Sequence, residues 1–217
     1  MNIDPLARWY RFLEYCAFGR ALERRRFEYL ERLAGARKIL ILGEGDGRAL
    51  KRLLEIAPAA FVDVVELSGK MIELARSRAG TTNRVRFLRQ DARAITPGSR
   101  SYDGIMTCFF LDCFSADDAG AIIKRLAGAL TADGIWLMTD FEVPERGWRR
   151  WYAALWIGTM YRFFQITTGL GVGKLPPVGR LLKEAGLKRV ARKEERGGMI
   201  VSEVWRLDRE IAQDERS

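Results

Sequence analysis

The stretch Lys38–Arg48, KILILGEGDGR, decides how this chain folds: four consecutive aliphatics run into three glycines that alternate with Glu44 and Asp46. An unbroken apolar run of this length predicts a parallel strand buried on both faces. The glycines predict a sharp turn whose backbone can lie close against a ligand, since positive φ is open to them and no Cβ intrudes. Ala49–Ile56, ALKRLLEI, carries apolar residues at helical spacing, so a helix begins near Asp46. Strand, glycine turn and helix together describe a cradle for a nucleotide-type cofactor. Taken alone, the same run also fits a tight strand-to-helix turn that holds no ligand.

Outward from that stretch, the acids fall into a pattern. Phe61–Leu67, FVDVVEL, predicts a second buried strand, and Glu66 at its end lies 23 residues beyond Gly43. At that distance a carboxylate can accept hydrogen bonds from both hydroxyls of a ribose. A helix is expected over Lys70–Arg78, then a third strand, Val85–Arg89, that runs into Gln90, Asp91 and Ala92. Tyr102–Phe110, YDGIMTCFF, predicts a fourth strand, Ala116–Leu130 an amphipathic helix, and Ile135–Met138 a fifth strand after a Thr131–Gly134 turn, leading to Thr139, Asp140 and Phe141. Alternating strands and helices argue for a parallel sheet covered on both faces, with ligands outside the carboxyl ends of the strands. Gly43–Gly47, Glu66, Asp91, Cys108–Asp112 and Asp140 are therefore expected to converge on one crevice.

The flanks behave differently. Asp4 to Leu33 has a helical pattern broken near Gly19, dense in aromatics such as Trp9, Tyr10 and Phe12. Pro144–Thr168 carries Trp148, Trp151, Tyr152, Trp156, Tyr161, Phe163 and Phe164, followed by a loose glycine-rich stretch. Pro177–Ala185 predicts a short helix, and Leu187–Lys193 with Met199–Leu207 a hairpin around Glu195–Gly198 that adds an antiparallel strand at the sheet edge. The expected organisation is one domain: an N-terminal helical cap over residues 1–36, a cofactor-binding core over 37–141, an aromatic lid over 142–176, and a C-terminal helix and hairpin over 177–207.

Composition bounds the partners. At 217 residues and 48% apolar content the chain has enough material for one substantial core. It has no apolar run of membrane-spanning length, and Asp4, Arg8, Arg11 and Glu14 stand where a signal peptide would be apolar, which predicts a cytoplasmic protein. Cys16, Cys108 and Cys113 lack metal-ligand spacing and the chain has no histidine, so no zinc or iron site is expected; the thiols read as buried and reduced. The net charge of +9 is scattered, with concentrations at Arg24–Arg26 and at Arg146, Arg149 and Arg150. Scattered arginine reads as solvated surface before it reads as a nucleic-acid site.

With the glycine run, Glu66, Asp91, the YDGIM strand, the TADG turn and the terminal hairpin in place, the sequence resembles the class I S-adenosylmethionine-dependent methyltransferases over roughly Arg37–Leu207. The resemblance implies a Rossmann-like, doubly wound, seven-stranded, mainly parallel sheet whose last strand pair is reversed. It implies S-adenosylmethionine as cofactor and S-adenosylhomocysteine as product. Gly43, Glu44, Gly45 and Gly47 would cradle the methionine part, Glu66 the ribose, and Asp91 with Ala92 the adenine, flanked by Leu67 and Met71; Cys108 would face the same site. A nicotinamide dehydrogenase fits less well, because its fingerprint wants glycine where Arg48 stands.

The TDFEVP segment, Thr139–Pro144, followed by aromatics looks like the methyltransferases of small lipophilic acceptors, including quinone-type ones. Enzymes that methylate base amines carry a proline pair after the fourth strand, where this chain has Phe110–Phe114, FLDCF. Methyl transfer from a sulfonium is an in-line displacement, so alignment and a deprotonated nucleophile matter most. Histidine, the usual base in many relatives just after the fourth strand, is absent. Asp140 is the first candidate base, because it follows a central strand among apolar neighbours where desolvation raises a carboxyl pKa, although a capping role fits it equally. Glu142 is the second, and Tyr161 a hydrogen-bond donor; Asp112 reads better as a turn or cap residue. Trp148–Phe164 reads as a lid over an apolar acceptor pocket, with peripheral membrane contact as a secondary reading. The alternatives are a methyltransferase directed at RNA and a non-catalytic cofactor-binding partner subunit.

Overall fold

The computed structural model describes residues 21–143 and 175–208. The helix α1 (Ala21–Phe27) and a 3₁₀ turn (Leu30–Leu33) precede β1 (Lys38–Leu42), α2 (Arg48–Ile56), β2 (Phe61–Glu66), α3 (Gly69–Ala79) and β3 (Val85–Arg89). After them come β4 (Tyr102–Cys108), α4 (Ala116–Ala129), β5 (Leu130–Phe141), α5 (Val178–Glu184), β6 (Leu187–Glu195) and β7 (Ile200–Leu207). The seven strands form one sheet in the order β3-β2-β1-β4-β5-β7-β6.

β1 shows why the opening run is continuously apolar. Successive side chains point to opposite faces of the sheet. Leu40 and Leu42 enter the core under α4 and α5, while Ile39 and Ile41 enter the core under α2 and the Leu30–Leu33 turn. All four are essentially inaccessible. β2, β4 and β5 divide their residues in the same way, with Trp136 and Met138 on one face and Ile135 and Leu137 on the other. Both faces are therefore covered and the crevice is left at the strand ends.

Two expectations change in the C-terminal half. β7 pairs antiparallel with both β5 and β6, so β6 runs in the same direction as the parallel strands. A single strand is reversed, not a pair, and it lies inside the sheet while β6 forms the edge. β5 also starts earlier than its apolar core suggests: Leu130 already pairs with Tyr102, Ile135 pairs with Gly104, and residues 131–134 bulge out between them. The expected turn is thus a bulge within one strand. β4 ends at Cys108, two residues before its expected end, because Phe109 takes a positive φ of 52° and turns the chain into the 3₁₀ segment Leu111–Cys113.

The basic triplet also departs from its reading as surface. Arg24 is exposed, but Arg26 is buried at 7% exposure and the Arg25 side chain is largely covered. Residues 1–20, the segment 144–174 with Tyr161 and the expected lid, and residues 209–217 lie outside the described residues. Among the described residues no helix is long and apolar enough to cross a membrane, and no group of three metal-ligating side chains occurs.

Candidate functional site

The order β2-β1-β4 places the reversal of strand order between β1 and β4, where α/β sheets open a crevice at their carboxyl ends. Backbone bonds carry the ladder one step past the strands: Gly43 N–H donates to the Val65 carbonyl at 3.0 Å, Gln90 N–H to Glu66 O at 3.3 Å, and Phe109 N–H to Thr139 O at 2.7 Å. Gly43, Glu66, Gln90, Phe109 and Asp140 therefore share one rim.

Gly43, Gly45 and Gly47 all take positive φ, of 66°, 66° and 88°. Packing accounts for the outer two. A Cβ on Gly43 would stand 2.2 Å from the Phe110 ring, and one on Gly47 would stand 2.4 Å from the Ala75 backbone in α3. Gly45 faces open space, with no other atom within 4 Å of where its Cβ would stand. Crowding does not call for glycine there; the positive φ does.

The two acids of the turn have opposite environments. Asp46 sits between Arg48 (2.9 Å) and Arg78 (2.6 Å). Burial would raise its pKa, but the two guanidiniums outweigh it and hold the carboxyl below its usual range. Glu44 is buried, and its Oε1 accepts the Leu50 N–H at 2.9 Å. It thereby caps α2, whose N-cap residue Gly47 has no side chain to do so. Desolvation pushes its pKa up to about 7, against the opposing effects of the Leu50 amide and the Arg26 charge.

Glu66 is buried at the end of β2, where Oε1 accepts Ser68 N–H at 2.9 Å and Oε2 accepts Gly45 N–H at 3.4 Å. One carboxylate thus ties the second strand to the open glycine. Beside it Leu67 is 40% exposed, an unusual setting for a large aliphatic, and Met71 is buried in the first turn of α3. Asp91 caps the short turn Ala92–Ala94 through Arg93 N–H and pairs with the exposed Arg93 guanidinium at 2.6 Å. That hydrogen bond is the main reason its pKa is lowered. Ala92 is buried.

At the other end of the rim, Cys108 is buried and its thiol is pushed up to about 12, chiefly by desolvation, so it is neutral. Asp140, 2% exposed, accepts its own neighbour's amide, Phe141 N–H, at 3.1 Å and the Asp112 N–H at 3.3 Å. Burial and the adjacent Asp112 carboxyl raise it well above the usual carboxylate range. Glu142 does not face this rim group: Arg192 grips both its oxygens, at 2.8 and 3.0 Å, from β6.

Two residues of the rim were not candidates for its chemistry: Arg26 was read only within a basic triplet, and Asp112 as a turn or cap residue of the crevice. Arg26, its guanidinium 5.7 Å from the Phe109 ring centre, reaches in from α1 and acts on the charge of both Glu44 and Cys108. Its spacing was informative: it stands four residues after Leu22 and four before Leu30, both buried. Asp112, read as a turn residue, is 4% exposed and donates its backbone N–H to Asp140.

Comparison with known proteins agrees with this geometry. Residues 39–134 match the family described as methyltransferase domain. A stretch of 118 residues is 31% identical to polyamine aminopropyltransferase 2 of Bacillus anthracis, covering 48% of this chain and 33% of that protein, so the chain spans about a third of that relative's length. Among solved structures, the N-methyltransferase NodS of Bradyrhizobium japonicum with S-adenosylhomocysteine superposes with a TM-score of 0.65 at 17% identity, over 86% of this chain and 88% of that one. The 1,6-didemethyltoxoflavin N1-methyltransferase of Burkholderia thailandensis, with its substrate and S-adenosylhomocysteine, superposes with a TM-score of 0.62 at 20% identity, over 94% and 88%. The chain is thus similar to the methyltransferase domain family over residues 39–134, and its sheet has the fold of these solved methyltransferases.

Proposed function

We propose that the protein transfers a methyl group from S-adenosylmethionine to a small aromatic or lipophilic acceptor. The observation that carries the cofactor reading is the open space over Gly45, bordered by the buried Glu66 carboxylate that already reaches the Gly45 amide. Glycine in a left-handed conformation that no neighbour requires, next to a buried acceptor of hydrogen bonds, fits an amino-acid moiety on the turn and a ribose diol on Glu66. The exposed Leu67 supplies an apolar surface for the adenine, with Met71, Asp91 and Ala92 around it. When bound, the cofactor supplies the electrophilic methyl; the chain aligns it and excludes water. Of the solved structures above, the N1-methyltransferase holds the small molecule 1,6-didemethyltoxoflavin, which supports a small acceptor.

Asp140 is assigned the proton-holding role, since it is buried at the rim and its pKa is raised by its surroundings. Glu142, held by Arg192, is assigned to anchoring the end of β5 to β6. Tyr161 and the aromatic segment around it are assigned to the acceptor side, as a lid; flotation with anionic liposomes tests the secondary reading, and a bound fraction would add interfacial contact.

Calorimetry with S-adenosylmethionine tests the cofactor step. Binding is expected, and Glu66→Gln is expected to weaken it roughly 10- to 100-fold, the worth of a hydrogen bond to a charged group. Absence of binding by the intact protein would overturn the reading. Titration with RNA at two salt concentrations checks the nucleic-acid alternative, for which a steep salt-dependent affinity would be required.

A further inference from the structure

The second half of the glycine turn is gripped by one face of α3. Met71, Ala75 and Arg78 stand four and three residues apart, which places them along one stripe of that helix. Gly47 lies against the Ala75 backbone so closely that a Cβ would stand 2.4 Å from it. One turn further on, Arg78 Nη1 meets Asp46 twice: it donates to the backbone carbonyl and lies 2.6 Å from the carboxylate Oδ2. Arg48 Nε donates to the other oxygen, Oδ1, at 2.9 Å. Asp46 is 4% exposed, so these bonds are made largely out of water. The same helix is tied to the turn at its other end, since Glu66 accepts both the Gly45 N–H and the Ser68 N–H, and Ser68 caps α3.

A turn of this kind has little stiffness of its own. Asp46 stands between two glycines of positive φ, and glycine leaves the backbone more conformations to lose than any other residue. A grip on the Asp46 carboxylate alone would leave its peptide plane free to turn. A grip on the carboxylate and the carbonyl together fixes the plane of the Asp46–Gly47 peptide as well. We propose that Arg78 is a positioning residue of the cofactor site: through Asp46 it locks the glycine turn in shape before the cofactor arrives, and so sets affinity for the amino-acid end of S-adenosylmethionine and not for its nucleoside end. The inference rests on the cofactor reading given above. A turn fixed in advance removes an ordering cost that binding would otherwise carry. The nucleoside end is assigned to Glu66, Leu67, Met71 and Asp91, which the bonds from Arg78 to Asp46 do not involve.

Two ligands separate the two ends. S-adenosylhomocysteine carries both, whereas methylthioadenosine keeps the nucleoside and the thioether but lacks the amino-acid group. In calorimetry, Arg78→Met should weaken S-adenosylhomocysteine roughly 10- to 100-fold, the worth of hydrogen bonds to a charged group, and leave methylthioadenosine within about twofold of wild type. Arg78→Lys should recover most of the loss, because a single nitrogen meets both Asp46 oxygens and an ammonium can take its place. Asp46→Asn, which removes the charge and keeps both arginines, should reproduce the split. Equal weakening of the two ligands would reduce Arg78 to general packing and overturn the proposal, as would unchanged affinity for S-adenosylhomocysteine. Failure of the wild-type protein to bind S-adenosylhomocysteine would instead overturn the cofactor reading. Urea unfolding shows which variants are folded; where Arg78→Met is not, Asp46→Asn decides with the same two ligands.

Discussion

The sheet carries buried acids on two flanks and treats them in opposite ways. On the β6–β7 flank, Glu203 is 1% exposed and is met by Arg189 at 2.7 Å, Arg192 at 2.6 Å and the Trp205 indole N–H at 2.9 Å. Arg192 goes on to hold Glu142 and Glu194. On the rim between β1, β2 and β5, backbone amides donate to Glu44, Glu66 and Asp140. A carboxylate matched by arginine is spent on structure. One that accepts backbone amides has a pKa that its surroundings can move. The chain has 37 basic residues, so this difference is one of placement and not of supply.

The contrast can be attacked at three places. The largest effect is expected at Arg192→Met, which leaves Glu203 buried with one arginine fewer and frees Glu142: a loss of about 3 kcal/mol in urea unfolding. Adding Glu203→Gln to that variant should recover part of the loss, and no recovery would mean the cost is packing rather than charge. A comparable effect, of opposite sign, is expected at Glu44→Gln. Because the folded protein holds the Glu44 proton up to about pH 7 while the unfolded chain releases it near its ordinary value of 4.5, stability falls as pH rises across that window. Full ionisation costs about 3 kcal/mol, at about 1.4 kcal/mol per pH unit. The variant should therefore be more stable than wild type at pH 8 by a similar amount, with a flatter pH profile; identical profiles would place Glu44 on the arginine-matched side of the comparison, through Arg26. The smallest effect is expected at Arg24→Ala, whose partner Glu195 keeps Arg25 and whose side chain is 62% exposed: under about 1 kcal/mol.

What sequence could and could not reveal follows the same physics. β1 spans the four aliphatics with Lys38 before them and β2 falls one residue short of its expected limit, because buried strands leave apolar runs that end where turn residues begin; β3, at the edge, also matches its expected limits. The position of β7 was not readable: a hairpin fixes which strands are neighbours but not which of them lies against β5. At the rim, spacing brought Glu66, Asp91 and Asp140 to strand ends, since the chain reaches those ends at regular intervals. It did not separate Glu142, on an arginine, from Asp140, on two amides, for that depends on a residue 50 positions away. Arg26 was hidden by its own company. Adjacent residues on a helix diverge by about 100°, so three consecutive arginines point three ways, and composition alone does not say which one faces the core.

The place of β7 also orders the assembly of the sheet. β6 comes before it in the chain, yet among the described residues β6 pairs with β7 alone. β6 therefore joins the sheet only through β7, and without residues 200–207 β5 would be an open, apolar edge. Such an edge is a template for another chain. The rim residues described above all lie before Glu142 in the chain, while the edge beside them is covered by a strand that follows β6.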